Sequence, residues 1–350
     1  MFAESNRRDF LEMSAIGAAA LATRSPFLAA QHNPAIKPMT GSWFEFQHHS
    51  TVEGVDWNPA CARFTAAQWD TKIKEIAEGG LQYLVLMAIA VYYRAFFQTD
   101  AYAQWELGCP DPIETVLTAA DKYGIKFFIG GGFFGDWESD GIITDLVGEK
   151  KRLRAIEQVA ARYAHHASFY GWYWPDEAFL NPYFSPEFIR YVNLNSGLVR
   201  RLTPKLKTMI APYGTRVVIP DDKYVRQLDA LDVDIIAYQD EVGVRKSKTT
   251  ETSKFFEGLR SAHDRSQKAK LWADVEIFEF QGETYKSALM PAPFDRVLKQ
   301  LEAVSPWVDE ILVYQYLGMM NQPGSPAFAG SPQSAELYSD YQRWRKGLRG

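Results

Sequence analysis

Cysteine is nearly absent from this 350-residue chain, with Cys61 and Cys109 the only two. That excludes a disulfide scaffold and a cysteine metal cluster, and leaves either one bridge or two unpaired thiols. Histidine is scarce too, with six in all. His48 and His49 are the only pair expected near a functional face, adjacent side chains diverge, and no HExxH pattern occurs, so no metal site is expected. A calcium or magnesium ion held by carboxylates stays open. Without a GxSxG there is no serine-hydrolase elbow, and the lysines fall in helices and loops rather than at strand ends, against a Schiff-base lysine. No apolar run after the N-terminal segment is long enough to cross a bilayer. The formal charge is −5, with no basic stripe. Neither nucleic acid nor stable membrane insertion is therefore expected.

Residues 1–30 stand apart. Arg7 and Arg8, followed by Phe10, Leu11 and a small-residue apolar stretch from Met13 to Ala22, resemble a twin-arginine export signal, with Ala29 and Ala30 as a cleavage point. The resemblance implies recognition by the twin-arginine export machinery and a periplasmic or secreted product.

What the remainder has in abundance is alternation. Strand-like runs cover Thr40–Phe46, Tyr83–Val91, Lys126–Phe133, Phe169–Trp174, Thr208–Tyr213, Asp234–Gln239, Leu271–Phe278 and Glu310–Leu317. Several are continuously apolar, as parallel strands covered by helices must be. Helical patterns lie between them: Ala66–Glu78, Pro112–Tyr123, Glu149–His165, Pro186–Leu202, Asp222–Leu228, Thr252–Ser266, Phe294–Val304 and Ala335–Trp344. Thr65, Asp111-Pro112 and Ser185-Pro186 are helix-start signals. The pattern predicts a single (β/α)8 TIM barrel over residues 38–345. A doubly wound sheet would carry a glycine-rich turn after its first strand. Here that connection is long, and Gly130–Gly132 lacks the lysine of a phosphate loop.

In such a barrel the C-terminal strand ends share one mouth. Acids recur there: Glu45 at strand one, Asp136 after strand three, Asp176 and Glu177 at strand four, Asp240 and Glu241 at strand six, Asp274, Glu276 and Glu279 at strand seven. Strands four and seven lie roughly opposite. Cleaving a glycosidic bond needs one acid to protonate the leaving oxygen and a second carboxylate to attack or to activate water. Glu177, ending an aromatic run that raises its pKa, is the expected acid/base. Glu276 is the expected nucleophile, or the base of an inverting reaction. Asp274 shares its parity with Glu276 and competes with it or belongs to a structural polar layer.

Trp137, Trp174, Tyr213, Tyr238, Trp272 and Tyr314 are expected to bind substrate together with Glu45, Asp176, Gln239, Asp240 and Glu241. Flat apolar rings beside carboxylates and amides suit a carbohydrate, whose rings have apolar faces and polar edges. No cofactor is expected. A carbohydrate-binding barrel without activity, or a metal-assisted sugar lyase or isomerase, are the alternatives.

The runs TGSWFEF, KFFIGGGF, GWYWPDE and YQDEVG resemble the sugar-hydrolase-like family catalogued as domain of unknown function 4434, over roughly residues 38–345. A broader likeness to retaining barrel glycosidases implies an acid/base after strand four and a nucleophile at strand seven, matched by Glu177 and Glu276. Their common Asn-Glu pair is Asp176-Glu177 here.

Overall fold

The computed structural model describes residues 36–132 and 143–348. The expected export signal, together with Phe133, Asp136 and Trp137, lies outside them. Eight parallel strands close into a barrel. They are β1 (Gly41–Phe44), β2 (Tyr83–Leu86), β3 (Lys126–Gly130), β4 (Phe169–Trp174), β5 (Lys207–Ile210), β6 (Ile235–Gln239), β7 (Lys270–Glu276) and β8 (Glu310–Tyr314). Neighbours in sequence pair in space, and β8 closes on β1 through Gly41 with Leu312 and Ser42 with Val313. The outer ring is α1 (Ala66–Glu78), α2 (Pro112–Tyr123), α3 (Leu146–Tyr163), α4 (Pro186–Leu202), α5 (Asp222–Ala230), α6 (Thr249–Ser266), α7 (Phe294–Val304) and α8 (Gln333–Gly347). None of the described helices is long and apolar enough to cross a membrane.

The helices begin where their caps allow. Thr65 forms a reciprocal capping box with Gln68 at α1, while Asp111, Ser185 and Asp221 accept backbone N–H groups at α2, α4 and α5. Asp145 accepts from Val147 and Gly148, so α3 starts at Leu146, three residues before the expected Glu149.

β4 has the expected bounds, but several other strands are shorter than their apolar runs. Beyond β2 the chain bends away, and Ala90–Val91 pairs instead with Arg94–Ala95 in a small separate sheet. Beyond β7, Phe278–Phe280 folds into a hairpin with Leu289–Pro291. Both segments stay buried. Burial outside the barrel leaves the same apolar signature as burial inside it, which is why the runs read as single strands.

Rings from neighbouring strands and from strands across the barrel fill the lumen. Tyr83 of β2 meets Trp272 of β7 at 4.9 Å between centroids, and Phe128 of β3 meets Tyr170 of β4 at 5.3 Å. One layer up, Trp43 and Tyr173 meet edge-on at 5.8 Å. A bulge makes this possible: Phe127 pairs with Phe169 and Phe128 with Gly171, so Tyr170 is an extra residue in β4. Both Tyr170 and Tyr173 then point inward, although three positions separate them.

Gly130 closes β3 where β2 leaves the barrel. A Cβ there would land against the carbonyl oxygens of Leu86 and Met87, and backbone cannot step aside as a side chain can. Gly130→Ala is expected to destabilise the fold by about 1–3 kcal/mol in urea unfolding, the range for overpacking.

Candidate active site

A cavity of about 550 Å³ opens at the C-terminal strand ends. A larger hollow of about 990 Å³ lies against α7, α8 and the segment after β7, and its lining takes Glu279, expected at the mouth, together with Asp295 and Trp344. Only the first gathers acids from several strands.

β7 builds the cavity floor. Its pleat points Trp272, Asp274 and Glu276 to one side. Trp272 lies deepest, in the aromatic layer. Asp274 and Glu276 line the cavity, each 3% exposed. One Glu276 carboxylate oxygen accepts the N–H of Val244 at 2.8 Å. Its main chain is locked from α7, with Arg296 and Gln300 donating to its carbonyl at 2.9 and 3.0 Å. Burial, then the Asp240 charge, push the Glu276 pKa well up, while the Val244 N–H opposes. Burial and the neighbouring Glu276, Glu177 and Asp240 push Asp274 well up too. Among the described residues no donor reaches Asp274 Oδ1. Like charges crowded together cannot all ionise, so this group holds protons near neutrality.

Glu177 enters from β4, across the barrel. Its side chain is open to cavity water but surrounded by protein. The recess pushes its pKa from 4.5 to about 7, against the opposing influence of Gln239, Tyr173 and Lys246. Asp176 also lines the cavity. Burial raises it to about 6, while the Arg152 charge lowers it. The Tyr191 hydroxyl favours its ionised form without closing a well-formed hydrogen bond.

The pleat sorts the remaining expected residues. Tyr213, Gln239, Glu241 and Tyr314 line the cavity. Trp174 does not: its indole N–H donates to Ser196 of α4 at 3.1 Å. Tyr238 also faces the helices, bonded to Tyr224 at 2.6 Å and His263 at 3.0 Å. Strand alternation turned both outward. Trp272 points inward but sits one level below the acids. Asp240 lies behind the cavity wall, accepting from the Glu276 N–H at 3.2 Å and from Gln300 at 2.7 Å. Glu241 takes a left-handed φ of 55° and pairs with Arg216 at 2.8 Å. Strain of this kind collects at functional loops.

Glu45 is likewise internal. It accepts from Trp57 at 3.1 Å and Gln315 at 2.5 Å, and bonds His48 Nδ1 at 2.9 Å. His48 Nε2 meets Glu53 at 3.2 Å, and the Tyr314 hydroxyl lies 3.2 Å from Nδ1. Burial alone would lower the His48 pKa, but the two carboxylates outweigh it and raise it to about 9. Glu45, His48 and His49 offer ligand atoms within 4.8 Å of one another. With both His48 nitrogens occupied by carboxylates, the group fits an imidazolium clamp better than a metal ligand set.

His48 and His49 line the cavity, as expected of that pair, whereas Glu53, Lys246 and Tyr285 of the lining carry no such signal in the sequence. They sit on loops, where no periodicity reports direction. Cys61 and Cys109 are both buried free thiols.

A family model described as "Domain of unknown function (DUF4434)" matches residues 39–327. No curated protein matches the chain. Among solved structures, a putative alpha-L-fucosidase from Bacteroides thetaiotaomicron is similar at 17% identity and TM-score 0.69, over 95% of this chain and 99% of that one. A beta-galactosidase from Marinomonas ef1 is similar at 10% identity and TM-score 0.57, over 89% of this chain and 60% of that one. An endo-beta-1,4-mannanase from Thermotoga petrophila also gives 10% and 0.57, over 89% and 77%. These likenesses show the barrel fold, not an activity.

The His48 clamp has a pH signature. Its pKa is about 9 folded against 6.5 for a free histidine, so its stabilisation is complete below 6.5 and lost as pH rises through 9. The raised carboxyls add a loss of the same sign, whereas His263, lowered to about 4, acts oppositely only below 6.5. Stability is therefore expected to fall between pH 6.5 and 9, and His48→Gln to flatten that slope in urea titrations. Asp274→Asn, which removes a poorly solvated acid, is expected to raise stability at pH 8 by about 1–2 kcal/mol, and less in acid.

Proposed function

The chain belongs to the DUF4434 family, and for this member we propose a glycoside hydrolase that cleaves an oligo- or polysaccharide with Glu177 and Glu276. The observation that carries the reading is the convergence of both carboxyls on one cavity from opposite barrel strands, one of them with a pKa of about 7. A proton held that close to neutrality is available to the leaving glycosidic oxygen and returns afterwards from water.

Glu276 has the complementary environment. Burial and the Asp240 and Glu241 charges hold its pKa well up, while the Val244 N–H and the Arg296 charge favour the ionised form that reaction requires. As a carboxylate, Glu276 attacks the anomeric carbon in a retaining reaction or activates water in an inverting one. Tyr314 and Gln239, on either side of β7, offer hydrogen bonds to sugar hydroxyls. The twin-arginine pattern of residues 1–30 supports action in the periplasm or outside the cell, and Arg7→Lys with Arg8→Lys should retain the precursor in the cytoplasm.

A glycan panel tests the reading. Glu177→Gln and Glu276→Gln are each expected to lower kcat by about 10²–10⁴-fold on any glycan the wild type hydrolyses. The wild-type kcat/KM should decline as pH rises through about 7, where Glu177 loses its proton, and Glu177→Gln should lack that limb. Glycan binding with no turnover across the panel would overturn the assignment in favour of a binding protein.

A further inference from the structure

Charge in the cavity is divided between floor and rim. Acids hold the floor. Among the described lining residues, Lys246 is the only lysine or arginine. Three loops fix its place. Its N–H donates to the Glu241 carbonyl at 3.0 Å, and Arg245 before it turns the chain at a left-handed φ of 61°. The ammonium lies 5.2 Å from the ring centroid of Tyr213, just beyond β5, and 5.4 Å from that of Tyr285. Tyr285 sits in the hairpin after β7, at a left-handed φ of 64°. Two aromatic faces hold a cation well without neutralising it. Glu241, earlier in the same loop, is committed to Arg216 at 2.8 Å. No carboxylate among the described residues comes within ion-pair distance of Lys246.

Resting on the hydrolase reading, we propose that Lys246, Tyr213 and Tyr285 form an anion subsite at the cavity rim, and that the substrate is an acidic glycan whose carboxylate or sulfate docks there. Phe179 stacks on Tyr213 at 5.1 Å with their planes 20° apart, which steadies the ring that holds the ammonium. Burial opposes the charge on Lys246, but Tyr285 and Glu241 outweigh it and raise its pKa, so the cation persists. Protons retained on the floor acids soften their repulsion of an anionic sugar. A neutral glycan would leave this cation unused.

Lys246 also lowers the Glu177 pKa, so the test separates binding from tuning. The full chain carrying Glu177→Gln is titrated calorimetrically with oligogalacturonate, oligomannuronate, sulfated galactan oligosaccharides, and neutral galacto- and manno-oligosaccharides of matched length. An anionic series is expected to bind about 10–100-fold more tightly than its neutral counterpart, as a charge-assisted hydrogen bond provides. Adding Lys246→Gln should erase that margin, Lys246→Arg should keep most of it, and an unchanged Tm should exclude unfolding. The carboxylated and sulfated arms identify which anion is read. Equal binding of neutral glycans, anionic binding indifferent to Lys246→Gln, or no binding by any series would overturn the subsite. Failure of the two readings is distinguishable. Wild-type hydrolysis of neutral glycans without preference leaves the hydrolase and removes the subsite, whereas Lys246-dependent binding without turnover does the reverse.

Discussion

Mutual repulsion among the carboxylates at the barrel mouth is the constraint on which the rest of the structure depends. Glu177, Asp274 and Glu276 share one recess, with Asp240 immediately behind it. For the buried Asp274, Glu276 and Asp240 that repulsion is multiplied, because little water intervenes. The surroundings answer it with fixed donors: the Val244 N–H on Glu276, Gln300 on Asp240, and Arg216 on Glu241. What donors do not offset is taken up by protons, which is the condition acid–base chemistry near neutrality requires.

The first-strand network answers the same problem differently. Glu45 and Glu53 both bond the His48 ring that lies between them. The carboxylates on this side share one cation, and Tyr314 is held against His48 at the cavity edge. The helix layer takes part as well. Arg296 and Gln300 reach from α7 to the Glu276 carbonyl, so the orientation of a cavity carboxyl depends on packing outside the barrel.

Much of the barrel was legible because continuous apolar strands, capped helices and short joins all pointed to one architecture. The acids of strands four and seven were legible because strand order fixes which ends oppose each other. Individual rings were harder. Trp174 and Tyr238 lie near strand ends, as site residues do, yet the pleat turns them into the helix layer, where Ser196 and His263 satisfy their polar atoms. Parity could have placed Tyr238 outward beside the inward Gln239. It could not have placed Trp174, because the bulge at Tyr170 resets the alternation, and sequence carries no mark of an unpaired residue in a strand. Lys246 and Tyr285 were invisible for another reason: their meeting depends on left-handed turns at Arg245 and Tyr285 itself, neither of which is a glycine.

The interlocked rings of Tyr83, Phe128, Tyr170 and Trp272 make the barrel a cup rather than a pipe. Among the described residues the lower end is stoppered by aromatics, and the acids face the upper opening. A ligand large enough to cover the opening becomes a seal as well as an occupant. The protons present when it arrives are those available until it leaves, so the order of arrival, ligand before or after proton, is settled by the shape of the vessel.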